Sequence, residues 1–153
     1  IRMRLVGSEM CIRDRVSPGR TSLSDDEFVY EFIIPKRVGK SSDAYLRFIP
    51  RTEMDIAVVG AGVAVTLDDS GVCTAARVSL GAVAPTVLLL DDAAAAIIGS
   101  KLDDAALAKL DAAAQAACNP INDKRGTIEY RTKVAGVLAR RAAAIAFDRA
   151  SKR

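Results

Sequence analysis

The chain has 153 residues, with 22 Lys or Arg against 19 Asp or Glu and a formal net charge of +3. Half of it is apolar, 5% is aromatic, and Trp and His are absent. Such a composition describes one globular domain with enough chain for a core. It excludes His triads, His general bases and nearly every zinc site.

Cys11, Cys73 and Cys118 are scattered and form no Cys-x-x-Cys. They offer no set of four close ligands for an iron–sulfur cluster, and free cysteines fit a reducing cytoplasm. No apolar run approaches the roughly 18 to 20 residues that span a bilayer. A nucleic-acid surface would show a basic stripe with interleaved aromatics. The basic end formed by Arg140, Arg141, Arg149, Lys152 and Arg153 reads instead as a solvated helix terminus.

Ile1–Arg15 mixes charged and apolar residues with neither a helical nor a strand period. Ile1 marks a fragment or a mis-called frame, and Ser8–Arg15 resembles read-through of a sequencing adapter. Residues 1–15 are therefore expected to be a non-native or disordered tail. Residues 16–27 are expected to be a turn-rich linker and residues 28–150 the folded domain.

Glu27–Pro35 reads as a first strand that Pro35 closes, and Lys36–Asp43 as a basic loop. Tyr45–Ile49 is the next strand, with Tyr45, Arg47 and Ile49 on one face and Leu46 and Phe48 on the other. Pro50 ends it, and Arg51, Thr52, Glu53 and Asp55 form a charged corner with an expected Arg51–Asp55 pair. Ile56–Leu67 is a long strand containing Gly60-Ala61-Gly62. That triplet opens like a dinucleotide-binding loop, but Val65 stands where the third Gly belongs and the following residues are β-branched. The glycines are better explained by a close approach of a neighbour or by a bulge.

After a turn at Asp68–Gly71, Val72–Val83 is expected to return as the partner strand. Three helices should follow. The first is capped by Thr86 and runs to Ile98; the second is capped by Asp103 and covers Ala105–Ala117; the third begins at Thr127. Ile128, Val134, Val137, Leu138, Ala142, Ile145 and Ala146 supply the apolar spacing of the third. Strands first and helices afterwards predict an α+β fold. It should hold a three- to four-stranded antiparallel sheet with three helices on one face, because the strand connections are too short for helical crossovers.

Three ordered stretches carry a family resemblance. They are Tyr45-Leu46-Arg47-Phe48 running on to Asp55-Ile56-Ala57-Val58-Val59, then Val78–Thr86, then Cys118-Asn119-Pro120 with Asp123–Arg131. Together they resemble the C-terminal domain of the FAD-binding (medium) subunit of the xanthine dehydrogenase and aerobic carbon monoxide dehydrogenase family, the molybdenum hydroxylases. The resemblance covers roughly residues 18–149 and implies the same α+β fold. It also implies FAD as the cofactor of the complete subunit, with partner subunits holding the molybdenum cofactor and [2Fe-2S] clusters. Electrons would pass from molybdenum through [2Fe-2S] to FAD and on to an acceptor.

The same resemblance places Arg47 at the flavin and Val29, with Phe28 beside it, near the isoalloxazine edge. The residue matching Arg47 is often Lys, and Arg keeps the charge with a different donor geometry. Read without the resemblance, Arg47 is an edge-strand cation with its head in water. A non-catalytic α+β interaction domain is the alternative for the whole chain. The glycine-rich FAD-phosphate loops are not among these residues, and no catalytic constellation is visible. Asp25-Asp26 and Asp91-Asp92 suit caps and solubility, and Cys118 suits a buried structural thiol. Lys124 and Arg125 stand in a loop open to two readings, solvated or in contact with an interface or anion.

Overall fold

The computed structural model describes residues 3–4, 15–28, 30–34, 36–51 and 56–153. Its centre is an antiparallel sheet of four strands, β5 (Lys40–Phe48), β6 (Val59–Leu67), β7 (Cys73–Gly81) and β8 (Leu88–Leu89), in the order β5-β6-β7-β8. Helices α1 (Asp91–Ala95), α2 (Asp104–Ala116) and α3 (Ile128–Ser151) follow in sequence. Among the described residues, four short strands precede the sheet. β1 (Met3–Arg4) pairs in parallel with β4 (Phe32–Ile33), and β2 (Arg15–Ser17) pairs antiparallel with β3 (Arg20–Thr21). Of the expected tail, residues 1–2 and 5–14 lie outside the described residues.

Alternation along the strands divides the sheet into two chemically different faces. Ala44, Val59, Ala61, Val63, Val65, Leu67, Val78 and Leu80 are buried on the helix side. The pairs Ala44↔Val63, Leu46↔Ala61 and Val63↔Val78 stack across the strands on that side. α3 lies along β5 and β6, α1 lies against β7, and α2 packs on α3 and α1. The interior is rich in alanine: Ala135, Ala139, Ala142, Ala143, Ala146 and Ala150 of α3 are fully buried. These small side chains form the seam of the long helix, and Leu138 and Phe147 fill the wider gaps. The expected apolar stripe of α3 is therefore displaced toward its alanines. Ile128 is exposed and Val134, Val137 and Ile145 are only partly buried.

Several elements differ from expectation for identifiable reasons. Among the described residues of 27–35, only Phe32 and Ile33 are strand, short of the long strand expected. β-propensity becomes a strand only where a partner strand supplies hydrogen bonds and packing. β5 begins at Lys40 rather than Tyr45, because Lys40–Ala44 pair with Val63–Leu67 and extend the ladder through the expected loop. Thr86 does not cap a helix. Leu88 and Leu89 pair with Leu80 and Ser79 as a fourth strand, Leu90 N–H donates to the Val78 carbonyl, and the first helix shrinks to Asp91–Ala95. The β6–β7 register shifts at Thr66/Leu67, so Cys73 faces the core together with Val78 and Leu80 despite its odd number.

The two later helix caps and the hairpin turn match expectation, while the paired strands are shorter than expected, Val59–Leu67 and Cys73–Gly81. Asp103 Oδ1 accepts from Ala106 N–H at 2.8 Å, and Thr127 Oγ1 accepts from Tyr130 N–H at 3.1 Å, which caps α2 and α3. Asp68 Oδ1 accepts from the N–H groups of Ser70 and Val72 at the hairpin turn, where Gly71 adopts φ 80°.

Candidate functional site

The sheet face opposite the helices is built from Asp43, Tyr45 and Arg47 of β5, Gly60, Gly62 and Ala64 of β6, and Arg77 and Ser79 of β7. Register sets them in rows: Asp43–Ala64–Arg77, Tyr45–Gly62–Ser79, and Arg47–Gly60–Gly81. The central strand is nearly bare, and its bareness is used. The Tyr45 ring lies across it so closely that a Cβ on Gly60 would meet the Tyr45 hydroxyl oxygen at 2.6 Å. A Cβ on Gly62 would meet Ser79 Oγ at 2.9 Å. The close approach expected at these glycines is thus a tyrosine from β5 at Gly60 and a serine from β7 at Gly62. A strand through residues 59–67 also rules out the helix that a dinucleotide-binding loop requires.

Tyr45 remains 64% exposed. It is a flat aromatic surface with Arg47 two residues along its own strand and with Arg77 and Ser79 across the sheet. Asp43, Tyr45, Gly62, Arg77 and Ser79 line a shallow cavity of about 180 Å³. A neighbouring cavity of about 320 Å³ is lined by Arg37, Ser41, Asp43, Thr66 and Arg77. There Arg37 is ion-paired with Asp43. Such a face suits a planar, partly anionic group. The aromatic ring supplies contact area, and the guanidinium groups supply charge and donors.

At the far end of β5 and β6 the strands are joined to the start of α3. Val58 N–H donates to the Phe48 carbonyl at 2.9 Å. The Val58 carbonyl in turn accepts from Arg131 Nη1 at 2.9 Å. Arg131 is 3% exposed, and its guanidinium also donates to Asp123 Oδ1 at 2.7 Å and to the Gly126 carbonyl at 3.4 Å. The Asp123 carboxyl is held down at about 2, first by the Arg125 N–H and then by the Arg131 guanidinium. Phe48 and Tyr130 meet edge to face with ring centroids 6.1 Å apart.

Of the residues singled out in the sequence, Arg47 stands on the open face and is exposed. Phe28 lies outside the sheet in irregular backbone and is 72% exposed. Val29 lies outside the described residues, as do Asp55 and its expected pair with Arg51. The loop with Lys124 and Arg125 is built around Asp123, which Arg125 Nη1 meets at 3.0 Å, so Arg125 has an internal partner. The cysteines behave as structural groups: burial pushes the Cys73 and Cys118 thiols above their ordinary range. Sequence reasoning does not place Tyr45, Arg77 and Ser79 among the site residues. The available signal was an aromatic two residues before Arg47, on the same face as the paired glycines of the next strand.

The CO dehydrogenase flavoprotein C-terminal domain family matches residues 44–146. The chain belongs to this family. The carbon monoxide dehydrogenase medium chain of Afipia carboxidovorans is 43% identical over 88 residues, which is 58% of this chain and 30% of that protein. The nicotinate dehydrogenase FAD-subunit of Eubacterium barkeri is 34% identical over 83 residues, 54% of this chain and 28% of that one. Among solved structures, the reconstituted CO dehydrogenase from Oligotropha carboxidovorans superposes with a TM-score of 0.71 at 38% identity, covering 76% of this chain and 40% of that chain. The chain therefore spans less than half the length of these relatives. Its α+β fold is that of the flavoprotein C-terminal domain, and the matched region begins at Ala44, within β5, and ends inside α3.

Proposed function

We propose that this chain is the C-terminal domain of the FAD-binding subunit of a molybdenum hydroxylase, and that its open sheet face covers the flavin. The observation that carries this reading is the face itself. Tyr45 lies over Gly60 and Gly62, with Arg47 beside it, in a chain of the flavoprotein C-terminal domain family. The residues fit a flavin in two respects, a flat aromatic contact and cations next to it. When bound, FAD supplies two-electron redox chemistry. Arg47 holds positive charge at the face and favours negative charge accumulating on the ring. Tyr45 excludes water and orients the plane. Phe28 and Val29, in the segment before the sheet, are assigned to the flavin edge.

The glycine-rich segments that cradle FAD phosphates belong to the part of the subunit outside these residues, so affinity resides largely there. The molybdenum cofactor and [2Fe-2S] clusters belong to the large and small partner subunits. Electrons run from molybdenum through [2Fe-2S] to FAD in that assembly, which is assigned to the cytoplasm. No described helix is long and apolar enough to cross a membrane.

The complete subunit, purified, is expected to carry about one FAD per chain, whereas the 153-residue chain titrated with FAD shows no tight binding. Tight 1:1 binding by the chain alone would contradict the division of labour. A complete subunit that retains no flavin would favour an interaction domain with no cofactor role.

A further inference from the structure

Arg131 is a buried arginine whose three guanidinium nitrogens all have protein acceptors, and none of these contacts lies on the open face. Its location explains what it does. Nη1 is bonded to the carbonyl of Val58, the last residue before β6, and Val58 N–H is bonded to the carbonyl of Phe48, the last residue of β5. Phe48 is adjacent to Arg47. On the other side the guanidinium is fixed by Asp123, itself held by the backbone N–H and side chain of Arg125. The start of α3 is thus bonded across the open ends of the two strands, where the chain leaves the ladder at Phe48 and re-enters it at Val59. The edge contact of Tyr130 on Phe48 braces the same point from the helix.

We propose that Arg131 is a positioning residue for Arg47, keeping the end of β5 in register so that the Arg47 cation stays at the flavin. This rests on the flavin-facing assignment above. A fork-shaped guanidinium is required because one group must meet a carbonyl and a carboxylate in different directions. Lysine keeps the charge but loses that geometry.

The test is a double-mutant cycle in the complete FAD subunit, using Arg47→Ala, Arg131→Lys and the pair. The readouts are the FAD dissociation constant and the flavin midpoint potential. Arg131→Lys is expected to loosen FAD by about threefold to tenfold and to move the potential in the same direction as Arg47→Ala. The double variant should match Arg47→Ala alone, because nothing remains to be positioned. If the two effects multiply, or if Arg131→Lys changes neither readout while Arg47→Ala changes both, Arg131 does not act through Arg47. If Arg47→Ala itself changes neither, the flavin-facing assignment fails and the positioning role falls with it. Should Arg131→Lys not fold, Asp123→Asn loosens the same fork from the opposite side and replaces it in the cycle, with the same criteria.

Discussion

Gly60→Ala separates the stability of the sheet from the properties of its open face. A methyl at Gly60 would sit 2.6 Å from the Tyr45 hydroxyl oxygen and 3.3 Å from two of its ring carbons. Tyr45 must therefore retreat by about 0.8 Å to restore the 3.4 Å of ordinary contact. Its ring is the far end of a flexible, largely exposed side chain. The retreat needs a swing of roughly 10° or less, well short of the ~30° torsional displacement that costs about 0.5–1.5 kcal/mol. Against this, replacing a strand-interior glycine with alanine recovers about 0.5–1 kcal/mol of backbone entropy. The entropy gain outweighs the small torsional cost, so urea unfolding should show a slight stabilisation of about 1 kcal/mol or less. The tyrosine is nevertheless displaced, and the complete subunit should bind FAD more weakly. A loss of stability well above 2 kcal/mol would show that the backbone gives way instead of the side chain. Unchanged FAD affinity with Tyr45 displaced would show that the tyrosine does not meet the flavin.

Leu110 of α2 is fully buried, and Leu110→Ala should cost about 2–5 kcal/mol in urea unfolding. Asp123 has a folded pKa of about 2 against an ordinary 3.8. A depressed carboxylate pKa stabilises the fold above the ordinary value, and that contribution disappears as pH falls from about 4 through 2. Asp123→Asn should therefore flatten the pH dependence of stability in that acid window, as followed by circular dichroism. Cys73 is buried, its thiol is pushed up by desolvation, and it donates to the Ala75 carbonyl at 3.3 Å. At pH 8 it should label slowly with a thiol reagent in the native chain and promptly in denaturant; rapid native labelling would refute its burial.

Elements specified by local chemistry were legible in the sequence. Asp103 and Thr127 cap their helices because each places an oxygen over N–H groups of its own first turn. The β6–β7 hairpin follows from alternation around the Asp68–Gly71 turn. Elements that depend on a distant partner were not. Lys40–Ala44 is strand because Val63–Leu67 stands beside it, and Leu88–Leu89 is strand because Ser79–Leu80 does. Conversely, Phe28 and Tyr30 have suitable side chains but no ladder, and they remain outside the sheet.

The site divides in the same way. Arg47 enters through the family resemblance, whereas a close approach at Gly60 and Gly62 could be read from residue type and spacing. That Tyr45 is the approaching group required the register Tyr45↔Gly62, a long-range fact. The Arg131–Asp123–Val58 junction joins residues up to 73 positions apart, so the sequence shows its members without their connection. Alanine hides the α3 interface further. Its side chains are too small to stand out in a hydrophobic pattern, yet they let the helix sit on the sheet.

The most direct test of a flavin-facing sheet compares Arg47→Ala with Arg20→Ala in the complete FAD subunit. Arg20 is also an exposed strand arginine, but it belongs to β3, outside the four-stranded sheet. The measurement is the FAD dissociation constant of each variant. Loosening by about tenfold for Arg47→Ala, with Arg20→Ala at the wild-type value, is the predicted result. Equal affinities for both variants and the wild type would contradict it.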